Sequence, residues 1–350
     1  MRLGVNSGFR FVLARAGLAI TVGAAMVSAG AVARGARDTL SGQGSSLVAP
    51  LLAAWNTDYS ARAGTSIAYV SSGSSAGVAA ITARAVDFGA SDAPLTPDQF
   101  TAAKGVVQIP WALTATALSY NITGVAGGLR LTSAAIAGIY LGTIQYWDAT
   151  VLTKLNPRLK LPHEKITPVF RSDGSGDTFA FTTYLAKTSP RWKSKVGSGS
   201  QVNFPPGKPA KGNSGVASAI DTTTGAIGYL SVAYALTNNL PVTAIKNRAG
   251  RFPTPGIRAI AAAASTVTRV PADNAVSILD PPASAPQAYP ISTFTYVIVP
   301  TQTAKATALT RFIFYGLTAG QAFGPKLGFA PIPRIILSAG ERTLLQVKPA

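Results

Sequence analysis

Three times in this chain a turn made almost wholly of Ser and Gly opens onto apolar residues at helical spacing. The first turn is Gly42-Gln43-Gly44-Ser45-Ser46, followed by Leu51, Leu52, Trp55 and Tyr59, with Pro50 tolerated in a first helical turn. The second, Ser71-Ser72-Gly73-Ser74-Ser75-Ala76-Gly77, leaves the β-rich run 66–70 and leads to Val78 and Ile81. The third, Arg171-Ser172-Asp173-Gly174-Ser175-Gly176-Asp177, leaves the run 166–170 and leads to Phe181, Tyr184 and Leu185. The alternation continues elsewhere. Helical spacing recurs at 96–104, 133–140, 214–221, 257–265 and 303–315. A short strand from Val86 ends at a loop carboxylate, Asp92, and further β-rich runs lie at 106–111, 113–120, 225–230 and 294–299. Strands alternating with helices predict an α/β fold with mostly parallel sheets. Residues 34–41 read as a polar leader and 196–215 mostly as loop.

Such turns suit anions. Glycine lets a backbone approach a ligand closely. The first N–H groups of a helix have no partner within it, and the helix dipole favours negative charge there. Arg171 adds a planar, permanently charged donor fork. Taken alone, the third turn reads equally as a polar loop with a helix cap.

At 350 residues the chain has room for two domains. Residues 1–33 read as a secretory signal peptide. Arg2, Arg10 and Arg15 precede an uncharged, weakly apolar run that ends in Ala31-Val32-Ala33. With no twin arginine, the general secretory route and a periplasmic or extracytoplasmic location are expected, and with no Cys no lipid anchor is expected. The net charge is +18, and removing the three arginines of residues 1–33 leaves +15. The basic residues are dispersed, with Arg191-Trp192-Lys193-Ser194-Lys195 the densest group, so a solvated basic surface is expected rather than a nucleic-acid module.

Read together, five segments resemble the periplasmic phosphate-binding family of high-affinity phosphate ABC transporters. They are 42–50, 73–92 with its Val-Asp-Phe-Gly-Ala-Ser-Asp, 140–162, 171–179, and Lys211-Gly212-Asn213-Ser214-Gly215 with 225–229. The resemblance spans nearly all of the chain after residue 33. It implies a type II two-lobe clamp whose chain crosses the hinge twice. The lobes would be 34–112 plus 291–350, and 113–290. By position it implies phosphate ligands at Ser46, Leu47 (through its N–H), Ser74, Asp92, Arg171, Ser175 and Gly176, with Asp173 orienting Arg171. Family members usually carry Thr and Phe where this chain has Ser46 and Leu47. Asp177 departs from the Thr of many relatives. It reads either as a helix-start residue offering only its N–H, or as a second acceptor for a phosphate proton. The resemblance further implies permease subunits as partners, a monomer, no cofactor and no nucleic acid.

The residue types fit that ligand. Phosphate keeps one or two protons near neutral pH, and a buried Asp92 can accept a hydrogen bond from one. Sulfate has no such proton, so it would present lone pairs and like charge to the carboxylate. Enzymatic readings are weaker. His163 is the only histidine, Gly174-Ser175-Gly176 is not the Gly-x-Ser-x-Gly elbow, and no P-loop occurs. A binder of another oxyanion, a weakly phosphatase-like phosphate site and a surface binder of acidic polymers are the alternatives. The four tryptophans read as packing residues and His163 as an exposed loop residue.

Overall fold

The computed structural model describes residues 39–350. The expected signal peptide lies outside them. The first described element is β1 (Thr39–Gly44), where a polar leader was expected up to residue 41. Its residues alternate in burial, and both neighbours pair with it in parallel, so its polar composition hides a central strand. β1 leads to α1 (Ala49–Ala63), β2 (Ser66–Ser71) to α2 (Ser74–Thr82), and β3 (Phe88–Ser91) to α3 (Pro97–Ala103). Next come β4 (Val106–Asn121), β5 (Arg130–Leu131), α4 (Ser133–Tyr140), α5 (Thr150–Leu155), β6 (Thr167–Arg171) and α6 (Gly176–Thr188). The chain continues through α7 (Pro190–Lys195), β7 (Lys208–Ala210), α8 (Gly212–Asp221), β8 (Ala226–Ser231), α9 (Val232–Thr237) and β9 (Ala244–Ile245). It ends with α10 (Ile257–Ala264), β10 (Ser292–Pro300), α11 (Ala306–Leu317) and α12 (Arg334–Leu344). Among the described residues no helix is long and apolar enough to cross a membrane.

Eight strands form one sheet in the order β2-β1-β3-β10-β4-β8-β6-β7. Its two ends, β2-β1-β3 and β8-β6-β7, are parallel, as the strand–helix alternation predicts. Its middle is antiparallel, because β10 pairs antiparallel with β3 and β4, and β4 with β8. β4 is one strand of 16 residues, not the two runs read from the sequence. It is buried almost end to end, so it shows none of the alternation that marks a half-exposed strand. Pro110 is tolerated because the register shifts beside it: Thr295 pairs with Ala112 and Tyr296 with Pro110, leaving Trp111 as the extra residue of a bulge.

β4 also changes partners along its length. Residues 106–115 pair with β10, and Thr116 to Asn121 pair with β8. Two aromatic clusters pack apart from each other. One packs Trp55, Phe88, Trp111 and Phe312 in edge-on contacts, with Trp55 and Trp111 centroids 5.3 Å apart. The other packs Tyr140, Phe181, Trp192 and Tyr229, with Phe181 and Tyr229 stacked at 4.5 Å. All four tryptophans are fully buried.

Candidate functional site

The Ser/Gly turns of β1, β2 and β6 converge beside the end of β3. Ser74, the first residue of α2, accepts from the Gly176 N–H at 3.0 Å and from the Asp92 N–H at 3.2 Å. One position further, the Ser75 N–H donates to the Gly174 carbonyl at 3.1 Å. A β-carbon on Gly176 would lie 2.4 Å from that of Asp92, so only glycine allows β3 and α6 to meet this closely. Gly73 has φ +96° and faces Asp173 in the same way, with 2.5 Å between a hypothetical β-carbon and Oδ2.

Asp92 is buried among hydroxyls. Ser45 Oγ lies 2.6 Å from Oδ1 and 2.7 Å from Oδ2, Thr295 Oγ1 donates to Oδ1 at 2.9 Å, and Ser74 Oγ to Oδ2 at 3.3 Å. Burial, and then the charge of Asp177, push Asp92 up to about 7, while the Ser45 and Thr295 bonds and the Arg171 charge pull it back. Its carboxyl therefore exchanges a proton near neutrality, which suits a partner that carries protons itself.

Arg171 ends β6 and is buried, with 4% of its surface exposed. Its Nε donates to Asp173 Oδ1 at 2.8 Å, its Nη2 to Asp173 Oδ2, and its Nη1 to Asp177 Oδ2 at 3.2 Å. Burial works against its charge, but the Asp173 hydrogen bond and the charges of Asp177 and Asp173 outweigh it and raise the pKa. Asp173 also accepts from the Gly212 N–H at 2.9 Å; burial alone would raise its pKa, yet Arg171 and this N–H bring it below the usual carboxylate value. A guanidinium has five N–H donors. With three engaged by Asp173 and Asp177, one N–H remains on each Nη, so the group keeps donors for an oxyanion.

Asp177 is fully buried in the first turn of α6. Its N–H, like that of Thr178, points to Ser175 Oγ, at 3.1 and 3.4 Å respectively, so Ser175 is the helix cap. The Asp177 carboxylate accepts from Thr116 Oγ1 and Asn213 Nδ2, both at 2.8 Å, as well as from Arg171. Burial raises its pKa, against the Arg171 charge and the Asn213 and Thr116 bonds. Ser46 Oγ accepts from the Asn213 Nδ2 at 2.9 Å and N–H at 3.3 Å. The Leu47 N–H is turned onto Ser45 Oγ at 3.0 Å.

The residues singled out by sequence thus fall into two hydrogen-bonded chains that meet at the Gly176–Asp177 peptide. Leu47 reaches Asp92 through Ser45, Asp92 reaches Gly176 through Ser74, and Ser46 reaches Arg171 and Asp173 through Asn213 and Asp177. Sequence reasoning missed Ser45, Thr116, Asn213, Tyr229 and Thr295. Ser45 sits in a recognised turn, and Asn213 opens a helix after Lys-Gly. Thr116 and Thr295 carry only a faint signal, a hydroxyl in an otherwise apolar buried strand. Tyr229, in β8, accepts from the Arg171 N–H at 3.1 Å and shares a 2.8 Å bond with Thr178. His163 lies in an exposed loop, bonded to Asp148 at 2.8 Å and stacked on Tyr146. Among the described residues no group of three or more His, Cys, Asp or Glu side chains is arranged to hold a metal ion.

Known proteins share this chain's sequence family and fold. The PBP superfamily domain model matches residues 29–318. The phosphate-binding protein PstS of Xylella fastidiosa (strain Temecula1) is 40% identical over 298 residues, covering 84% of this chain and 81% of that protein. The phosphate-binding protein PstS of Pasteurella multocida is 33% identical over 303 residues, covering 85% of this chain and 88% of that protein. In fold, the crystal structure of a phosphate-binding protein from Stenotrophomonas maltophilia superposes with a TM-score of 0.64 at 19% identity, covering 87% of this chain and 93% of the other.

Proposed function

We propose, from the premise that this chain belongs to the PBP superfamily and within it to the PstS family of phosphate-binding proteins, that it captures inorganic phosphate and delivers it to an ABC importer. The observation that carries the reading is the pairing of a buried, proton-exchanging Asp92 with a buried Arg171 whose fork is already oriented. The arginine supplies charge and two free N–H groups. In its ionised form the carboxyl accepts from a proton-bearing oxygen and repels a bare one. Losing or mispairing one hydrogen bond to a charged group costs about 1.5–3 kcal/mol, or roughly 10- to 150-fold in affinity. That is enough to separate phosphate from sulfate.

The ligand set we assign is Ser46, Ser74, Asp92 and Arg171 through side chains, and Leu47, Ser175, Gly176 and Asp177 through the N–H groups of the two turns. The N–H groups of Leu47, Ser175, Gly176 and Asp177 now point to Ser45 Oγ, the Ser200 carbonyl, Ser74 Oγ and Ser175 Oγ, so ligand entry would exchange those bonds for bonds to phosphate. We assign the lobes to 34–112 with 291–350, and to 113–290. Two separate aromatic cores and the handover of β4 from β10 to β8 support that division. Hinge closure around a ligand is how periplasmic binding proteins work. We also assign an extracytoplasmic location, permease subunits as partners, a monomeric state and a binding rather than catalytic role. The single histidine is exposed and bonded to Asp148, which supports the last point.

Calorimetric titration of the secreted protein with phosphate, sulfate and arsenate, at one pH below and one above the second ionisation of phosphate, tests the reading. Phosphate and arsenate should bind and sulfate should not. Equal binding of sulfate would overturn it.

A further inference from the structure

We infer that Asn213 is a positioning residue that makes Ser46 an obligate donor to the bound anion and ties it to Asp177. The inference rests on the phosphate-capture reading for its ligand but on the geometry of four groups for its logic. Asn213 is the second residue of α8 and fully buried. Its Oδ1 accepts from the Ser231 N–H at 2.6 Å, which fixes which way the amide faces. The Nδ2 protons then have two targets, Ser46 Oγ at 2.9 Å and Asp177 Oδ2 at 2.8 Å. The backbone N–H of Asn213 adds a further donor to Ser46 Oγ at 3.3 Å.

A serine hydroxyl has two acceptor lone pairs and one proton. At Ser46 both lone pairs face Asn213, so its own proton must point elsewhere. Ser46 is buried and, among the described residues, donates to no protein acceptor. Its proton is a donor held for a ligand oxygen. A ligand that offers only donors there would be refused.

The same amide protects the charge on Asp177. Asp177 faces Arg171 from β6, Asp173 from the turn after it, Asp92 from the end of β3, Tyr229 from β8 and Tyr234 from α9. Of these only Arg171 is cationic. Asn213 and Thr116 are the uncharged donors that let the carboxylate stay ionised in a buried place. One side chain therefore sets the direction of a ligand-facing hydroxyl and the state of a carboxylate six residues beyond the ligand arginine in sequence.

Two variants separate positioning from packing. Asn213→Asp keeps the oxygen that accepts from Ser231 but replaces the donor with an acceptor. Ser46 can then donate to position 213 instead of to phosphate, and two carboxyls meet at Asp177. Phosphate affinity should fall about 10-fold or more when the new carboxyl is ionised and recover as acid protonates it, because the protonated form donates again. Asn213→Ala should lose about as much at both pH values, with no recovery. In the ligand-free proteins, the Asp177 carboxyl, followed by carbon-13 NMR, should titrate higher in Asn213→Ala than in the unaltered protein. If Asn213→Asp shows no pH-dependent gap and the Asp177 titration does not move, the inference is overturned. If the unaltered protein takes no phosphate, the functional reading fails instead, and the NMR comparison alone decides the role of Asn213.

Discussion

Gly176 and Asp92 touch with no room for a side chain between them. A β-carbon at 176 would sit 2.4 Å from the Asp92 β-carbon and 2.8 Å from its α-carbon. Backbone as well as side chain would have to shift. Gly176→Ala should therefore separate the turn before α6 from the end of β3. The expected result is a loss of stability of about 1–3 kcal/mol in chemical denaturation, the usual cost of overpacking. Phosphate affinity should drop at the same time. A variant with unchanged midpoint and affinity would show that the contact is dispensable.

Asp92→Asn removes the acceptor that distinguishes a protonated oxyanion. Sulfate, expected to give no signal with the unaltered protein, should give a measurable titration signal. The same variant also changes acid stability. Because the folded state holds the Asp92 proton up to about 7 while an unfolded Asp releases it near 4, the folded state binds more protons in between. Stability of the ligand-free protein should fall as pH rises through that window, and the Asn variant should lack this decline. Parallel melting curves of the two proteins across the window would refute the assignment.

Arg171→Lys keeps the charge but loses the fork. Lys cannot donate in-plane to Asp173 while also reaching Asp177, so one buried carboxylate loses its cation. Breaking a buried ion pair on one side costs about 3–5 kcal/mol. The variant should unfold earlier in denaturant by that order and should bind phosphate at least about 100-fold more weakly. Retention of affinity within a few-fold would mean the arginine is structural only.

Asp177→Thr tests whether the Asp177 carboxylate acts on the ligand. Threonine removes a negative charge beside the ligand and frees the Arg171 Nη1 bond. Affinity for the phosphate dianion should rise by about 10-fold, with little change for the monoanion. The comparison is a pair of calorimetric titrations on either side of the second phosphate ionisation. A gain of equal size at both would rule out charge as the reason.

In the parallel ends of the sheet, β2, β3 and β6 were legible because a helix-spaced run follows each, whereas β7 lies in a stretch that reads as loop. The middle was not legible. β4 and β10 are apolar and buried on both faces, so neither periodicity nor pairing direction could be read from them. β1 was mistaken for a leader because Thr39, Ser41 and Gln43 give it a polar face. At the site, the turns advertise themselves through Ser and Gly, and the Arg171–Asp173 pair through proximity in sequence. What a turn's hydroxyls bond to is decided by distant partners. Ser175 turned out to cap its own helix, and Asp177 gained Thr116 from 61 residues away. No local pattern encodes that reach.

The handover of β4 from one partner strand to the other falls at the residue that bonds Asp177. Ala115 pairs with Ser292 of β10, Thr116 pairs with Ser231 of β8, and the Thr116 hydroxyl goes to the carboxylate. The longest strand thus meets the buried carboxylate at the residue where it changes partner. The two are joined through a single hydroxyl, so a probe placed there reports on the strand and the site together.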